Sequence, residues 1–377
     1  MNIGFDASRS FISNRTGTEN YSYQILKHLS EIDTKNHYFV YIRPGTEINF
    51  KDWPSNFEFR TLNFKFLWTQ LGLAKQTFID NLDVLFIPAH TLPLIRKPGL
   101  KTVMTVHDLG AEYLPQTHQF KQRLYLKLMT DIQLKSTTHL IAVSKATKAD
   151  IIKKVGVSQE DISVVYEGYN KEGFRVQGRG YRVNQTIKKY DLKYQDYFLF
   201  IGTIQPRKNL ERLIQAYASF LNQPDIASKP KLALAGNRGW LSDEIYKLPT
   251  KLGIEDQVKF LGYVPDKDLP ALYIRAQAFL FPSLFEGFGL PVLEAFACNC
   301  PVLTSQASSL PEVAGDAAIL VDPNSTEDIA RGIKEITNQQ LRLKLMKKGH
   351  VQLKKFSWEQ ATRETLKILE TVAKSNF

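Results

Sequence analysis

Cysteine is nearly absent from this chain of 377 residues: there are two, Cys298 and Cys300, separated by one residue. A bridge across that spacing would be strained, and a lone C-x-C is poor evidence for zinc, so reduced thiols in a cytoplasmic protein are the expectation. No apolar run approaches the ~20 residues needed to cross a bilayer. Met1–Asp6 reads as the start of a strand rather than as the basic and then apolar regions of a signal peptide. Also missing are G-x-G-x-x-G after the first strand and G-x-x-x-x-G-K-[ST], which disfavours a dinucleotide dehydrogenase or a P-loop ATPase. No H-E-x-x-H or paired C-x-x-C sets up a zinc site, and no G-x-S-x-G marks a serine hydrolase.

Positive charge is abundant, with a net of +11, but unevenly placed. Residues 169–193 hold seven basic and two acidic residues, and Leu341–Lys355 contains no acid at all. Such stretches suit an anionic membrane surface or an acidic partner, and equally a solvated helix face. Residues 64–78, "FKFLWTQLGLAKQTF", combine Phe66, Leu67, Trp68 and Leu71 with Lys65 and Lys75. They read either as a membrane-interface segment or as a core-facing helix.

The length exceeds what one hydrophobic core usually holds, so two domains are expected. Apolar runs alternate with amphipathic stretches throughout. In the first half the runs are 2–7, 37–42, 84–89, 101–108 and 139–144; in the second they are 197–202, 231–236, 258–263, 278–283, 301–305 and 317–322. Strands that are apolar throughout, separated by helices, imply parallel sheets covered on both faces. The expected fold class is α/β, with two Rossmann-like doubly wound domains facing a central cleft. The expected limits are 1–168 for the first, 169–193 for a basic linker, 194–356 for the second, and 357–377 for a final helix.

In open α/β sheets ligands bind beyond the carboxyl ends of the strands. Arg207 and Lys208 follow a strand ending at Gly202 and precede a helix expected near Asn209, where free N–H groups and the helix dipole favour an anion. Two cations there grip a diphosphate; the alternative is a pair of solvated loop charges. In "FEGFGLPVLEAFA", Glu286 stands at a strand tip, and Gly287 and Gly289 clear the bend so that backbone N–H groups can face a phosphate. Pro291 suits a first helical turn, and Glu294 then reads either as an N-terminal acid complementing the dipole or as a ligand contact. Gly17 lies in a turn before a helix, with Thr18 as its expected cap. His107 ends a buried strand. Ser309 and Glu312 have capping-box spacing.

Taken together, "GTIQPRKNLERLIQAY", the long stretch from "GYVPDKDLP" through "FEGFGLPVLEAFA" to "AAILVDP", and "FSWEQATRETLKIL" resemble the C-terminal half of the retaining GT-B glycosyltransferases of family four. Glu286 and Glu294 match that family's E-x7-E signature. "TVHDLGAEYLP" and "LIAVSKATKADIIKKVGVSQEDISVVYEGYN" resemble its N-terminal half. The resemblance covers nearly the whole chain.

This resemblance implies a hexosyltransferase working on a nucleotide-sugar donor. Arg207 and Lys208 would hold the diphosphate, with the N–H groups of Gly287, Phe288, Gly289 and Leu290. Glu286 would hold sugar hydroxyls, Glu294 the ribose, Val264 the base through its backbone, and His107 the donor sugar. The family's first loop often carries two glycines where this chain offers Gly17 alone. No cofactor or metal is implied, because Arg207, Lys208 and the 287–290 turn would stabilise the leaving diphosphate. The wording is nearest to mannosyltransferases using GDP-mannose, with a UDP-sugar as the alternative. A GT-B epimerase or a non-catalytic basic binding protein is a further alternative. The partners implied are a nucleotide sugar, a glycan or lipid-linked acceptor and an anionic membrane surface, but no nucleic acid. The expected location is cytoplasmic, at the inner face of the membrane.

Overall fold

The computed structural model describes all residues except 13–14, 16, 90, 110–119, 175–179, 225–228 and 376–377, and for 120–127 and 180–182 it describes the backbone alone. The first half runs β1 (Asn2–Asp6), α1 (Gly17–Ile32), β2 (His37–Ile42), β3 (Phe57–Thr61), a π-helical turn (Trp68–Leu73) continuing into α2 (Ala74–Ile79), β4 (Val84–Ile87) and β5 (Lys101–Val106). Then come α3 (Phe120–Ser136), β6 (His139–Ala142), α4 (Lys145–Asp150) and β7 (Ile162–Val164). The second half runs α5 (Gly180–Lys189), β8 (Tyr197–Ile201), α6 (Leu210–Leu221), β9 (Lys231–Ala235), α7 (Asp243–Lys251), β10 (Val258–Gly262), α8 (Leu269–Arg275) and β11 (Ala278–Phe281). It closes with α9 (Leu290–Ala297), β12 (Val302–Ser305), α10 (Leu310–Ala314), β13 (Ala318–Val321), α11 (Thr326–Ile336), α12 (Gln339–Leu353) and α13 (Trp358–Lys374).

Two compact units result: Met1–Gly168 with Phe356–Phe377, and Tyr169–Lys355. Each holds one parallel sheet. The first has the order β3-β2-β1-β4-β5-β6-β7 and the second β10-β9-β8-β11-β12-β13. Both orders reverse direction beside their first strand, at β1/β4 and at β8/β11. There, helices leave on opposite faces and a crevice opens at the carboxyl ends.

The central strands are apolar because both faces are covered. Val84–Ile87 and Ala278–Phe281 are buried at every position. β3 and β7 lie at the two edges of the first sheet, half exposed and in β7 only three residues long. Their polar, broken patterns left them out of the expected strands.

α13 belongs to the first unit. Trp358, Ala361, Thr365, Leu369 and Val372 form its buried stripe, at helical spacing. The Trp358 ring meets Tyr21 edge-on at 5.9 Å. A Cβ on Gly168 would lie 2.1 Å from the Trp358 backbone nitrogen, so only glycine lets the chain pass here.

The stretch 169–193, expected as a linker, is instead part of the second unit. Val183 and Ile187, four apart, give α5 an apolar face that packs on α8. Lys189 pairs with Asp268 at 2.8 Å and Lys259 with Asp191 at 2.7 Å, so part of the basic excess is neutralised at home. The acid-free run forms α12, which buries Leu345 and Leu353 and pairs Lys348 with Asp316 at 2.6 Å. Thr18 lies within the first turn of α1, which begins at Gly17, and is not its cap. Cys298 and Cys300 are buried and form no disulfide.

Candidate active site

Gly202 follows β8 and Gly236 follows β9, both at φ 151°. A Cβ on Gly236 would lie 1.9 Å from the Gly202 carbonyl oxygen, so the chain ends beyond the two strands come this close only because Gly236 carries no side chain. Beyond Gly202 the chain makes a 3₁₀ turn, Pro206–Lys208, and Asn209 then takes a left-handed conformation (φ 60°) before α6. Asn209 explains that turn: its buried side-chain amide donates to the carbonyls of Pro282 (3.0 Å) and Pro323 (2.7 Å). The sequence marked Asn209 only as a helix start.

This anchoring sets Arg207 and Lys208 against the end of β11. Arg207 Nη1 donates to Glu286 Oε2 (3.1 Å) and to the Phe285 carbonyl (3.0 Å). Lys208 Nζ donates to Glu286 Oε1 at 2.6 Å and sits 4.9 Å from the Phe281 ring centre. Burial works to raise the Glu286 pKa, but the charges of Lys208 and Arg207 outweigh it and hold the carboxyl below its ordinary value. Both carboxylate oxygens are therefore engaged, and the pair of cations keeps one unit of positive charge for a ligand. The expected diphosphate cations and the expected sugar ligand form one ion-paired cluster at the β8/β11 switch point.

The bend after Glu286 is held from α10. The Ser309 hydroxyl lies within donating distance of the carbonyls of Glu286 (3.0 Å) and Phe288 (2.6 Å), and Ser308 donates to Glu286 as well. Ser309 thus makes no side-chain cap to α10, contrary to the capping-box expectation. Its hydroxyl serves the bend instead of the helix end. Gly289 caps α9 at φ 119°, and a Cβ there would lie 2.9 Å from Leu310. Leu290 is the first residue of α9, and Gly287 and Phe288 make up the turn before it.

Glu294 falls beyond the first turn of α9, so the N-terminal acid reading fails. Its Oε2 accepts from the Tyr273 hydroxyl at 3.0 Å. Burial, opposed by that hydrogen bond and helped by the charge of Asp266, pushes its pKa up to about 7. Tyr273, on α8, drew no attention in the sequence because a tyrosine among apolar residues reads as core. Val264 is buried two residues beyond β10.

In the first unit, His107 follows β5 and is buried. Nδ1 faces Glu167 Oε1 at 3.0 Å and Nε2 faces the Pro88 carbonyl at 2.9 Å. Two acceptors require a proton on each nitrogen. Burial alone lowers the pKa, but the Glu167 hydrogen bond and charge raise it above its ordinary value. A sugar contact through either ring nitrogen would have to break one of these bonds. Gly17 opens α1 with nothing within 4 Å of where a Cβ would lie, so packing does not demand glycine there.

Two such sheets, with paired cations and a glycine bend at a switch point, are the arrangement that the resemblance to the GT-B class implies. Comparison with known proteins agrees. Residues 184–352 match the model of Glycosyl transferases group 1, and residues 15–172 match that of Glycosyltransferase Family 4. The O-antigen chain mannosyltransferase B of Escherichia coli is 34% identical over 267 residues, 71% of this chain and 69% of that protein. The structure of sucrose-phosphate synthase from Thermosynechococcus elongatus superposes with a TM-score of 0.76 at 17% identity, over 98% of each chain. That of Anabaena HepE in complex with UDP and glucose superposes with a TM-score of 0.73 at 19% identity, over 98% of this chain and 100% of the other. The chain belongs to the GT-B glycosyltransferases of group 1 and family 4 and is a hexosyltransferase. No helix among the described residues is long and apolar enough to cross a membrane.

Proposed function

We propose that this enzyme transfers mannose from GDP-mannose, with retention of configuration, to a glycan or lipid-linked acceptor in surface polysaccharide assembly. The observation that carries this reading is the Arg207–Glu286–Lys208 cluster at the β8/β11 switch point, joined to the likeness with the Escherichia coli mannosyltransferase. As the glycosidic bond breaks, negative charge grows on the departing diphosphate. Cations already held in place stabilise that charge more in the transition state than in the ground state. Glu286 keeps Arg207 and Lys208 oriented before the donor arrives and yields part of their charge to the diphosphate. Its own oxygens can then accept sugar hydroxyls.

The N–H groups of Gly287 to Leu290 stand at the start of α9, where the helix end favours an anion. Glu294 takes the ribose hydroxyls, and the backbone at Val264 the base. With these groups the reaction needs no metal. A doubly engaged Glu286 is a poor nucleophile, which favours attack on the face the diphosphate leaves, with the acceptor's proton passing to that diphosphate. We place the enzyme in the cytoplasm, in peripheral contact with the inner membrane face, without a nucleic-acid partner.

Thermal-shift titration with GDP, UDP and ADP tests the donor. GDP should raise the melting temperature by several degrees and the others by less than one. Selective stabilisation by UDP would replace GDP-mannose with a UDP-sugar, and no response to any nucleotide would overturn the reading.

A further inference from the structure

The first unit carries an aromatic cluster that the reaction does not use. Phe11 follows β1, and Tyr23 stands on α1. Phe50 opens a 3₁₀ turn (Phe50–Asp52), Trp53 caps it, and Phe59 lies on β3, the outermost strand of the sheet. The Phe11 ring meets Tyr23 at 6.1 Å, Trp53 at 5.9 Å and Phe59 at 6.2 Å, and Phe59 meets Trp53 at 5.2 Å and Phe50 at 5.4 Å. None of the five lines the crevice at the β1/β4 switch point.

These rings are not core. Phe5, Tyr38 and Phe86, which are, have no exposed surface. Phe11, Tyr23, Trp53 and Phe59 are only partly buried, and Phe50 is 54% exposed. The turn that brings Phe50 buries none of its three residues. Phe59 backs the Phe50 ring from one side and solvent meets the other, so packing does not account for an apolar ring at that position.

Polar groups stand among the rings. The Arg15 guanidinium lies 3.8 Å from the Tyr23 ring centre, exposed and without an ion pair among the described residues. The Trp53 indole N–H has no acceptor among the described residues. Charge at the rim is nearly balanced: Glu58 pairs with Arg60 at 2.7 Å, and Asp52, which accepts from Asn49 at 3.0 Å, is next to Lys51. An anionic bilayer would select a surplus of cations that this rim lacks. A neutral sugar fits it. The face of an aromatic ring is negative, and the C–H groups of a pyranose, polarised by the sugar oxygens, are positive. Stacked on such rings, a sugar turns its hydroxyls to the groups beside them, and a planar guanidinium with several donors suits neighbouring hydroxyls.

We propose that this cluster is a second binding site for a neutral hexose glycan, holding the chain of a long acceptor on the outer flank of the first unit. Phe50, Phe59 and Trp53 take sugar faces, and Arg15 and the Trp53 N–H take hydroxyls. With ring centres 5.4 and 6.2 Å apart, neighbouring rings can meet consecutive sugars. The inference rests on glycan assembly as the role of the enzyme and adds a site away from the residues that perform the transfer.

Affinity electrophoresis of the full chain through gels holding α-mannan or dextran tests this, alongside transfer to mannobiose and to mannopentaose. Mannan should retard the native enzyme, and Arg15→Ala/Phe50→Ser should weaken that retention about fivefold. In the same variant the KM for mannopentaose should rise by about as much, while the KM for mannobiose, kcat for both and stabilisation by GDP stay unchanged. Retention on dextran in place of mannan, lost in the same variant, would support the site and change the sugar. Unchanged retention and KM in the variant would overturn the proposal. So would equal rises in KM for the two acceptors, which a merely structural role predicts, or no retention on either glycan. Loss of anionic-vesicle binding in the variant without any change toward a glycan would assign the rings to a bilayer and overturn it as well. Stabilisation of the same preparations by GDP reads the donor site separately, so failure here and failure of the sugar-transfer reading are distinguishable.

Discussion

Lys208 Nζ donates to Glu286 Oε1 across 2.6 Å, and both residues are more than nine-tenths buried. Removing Lys208 takes the nearer cation from a buried carboxylate that Arg207 still pairs at 3.1 Å. Lys208→Ala should cost about 3 kcal/mol of stability and lower kcat/KM for sugar transfer by about 10²–10³-fold. Urea denaturation and steady-state kinetics read the two effects. Near-normal turnover in a folded Lys208→Ala enzyme would remove the cluster from the mechanism.

Glu294 has a folded pKa of about 7, above its ordinary value near 4.5. The folded state then holds a proton that the unfolded state has released. Its contribution to stability is full below the unfolded pKa and is lost as pH rises through about 7. Melting temperature should therefore fall from pH 5 to pH 8 more steeply in the native enzyme than in Glu294→Gln. Parallel curves would show that Glu294 titrates normally.

For His107 the raised pKa has the same sign. Stability from its pair with Glu167 is full below the ordinary histidine pKa and lost as pH rises through the folded value. Two-dimensional NMR of the imidazole nitrogens should show both protonated above pH 6.5, and Glu167→Gln should bring the titration down. A neutral ring at pH 6.5 in the native enzyme would contradict the double hydrogen bond.

Ser309 lends its hydroxyl to the carbonyls of Glu286 and Phe288. Ser309→Ala should cost about 1–3 kcal/mol, because the Phe288 carbonyl loses its hydroxyl donor while Ser308 still serves that of Glu286. Because the bend loosens, the KM for the donor should rise severalfold while the circular dichroism spectrum stays the same. An unchanged KM would confine Ser309 to a structural role.

Gly236→Ala sets a Cβ against the Gly202 carbonyl oxygen, with a φ no alanine favours. Neither strand end can retreat without breaking the β8/β9 ladder. The variant should lose at least 2–3 kcal/mol, on the order expected for overpacking plus backbone strain. A melting temperature within two degrees of the native value would show that the ends can part.

Much of the fold was legible because a parallel strand buried on both faces has to be apolar throughout. Eleven such runs stand out in the sequence, and all became strands. The edge strands β3 and β7 escaped because Glu58 and Arg60 break the apolar run in the first and the second is only three residues long, whereas the edge strand β10 kept enough apolar residues to stand out. Arg207, Lys208, Glu286 and Glu294 stood out by their position after strands and by their spacing around a glycine bend. Asn209, Tyr273 and Ser309 did not, since each has a common structural reading and acts through partners far along the chain.

The sequence by itself determined two doubly wound domains and the strand ends at which ligands meet them, because those follow from local periodicity. Only the tertiary structure decided that Glu286 and Lys208, 78 residues apart, neutralise one another, that Ser309 braces a bend instead of capping a helix, and that Glu294 leans on Tyr273. Those pairings depend on β11 lying beside β8 rather than beside β10, an order set by how the helices cover the sheet, and no local pattern of residues encodes it.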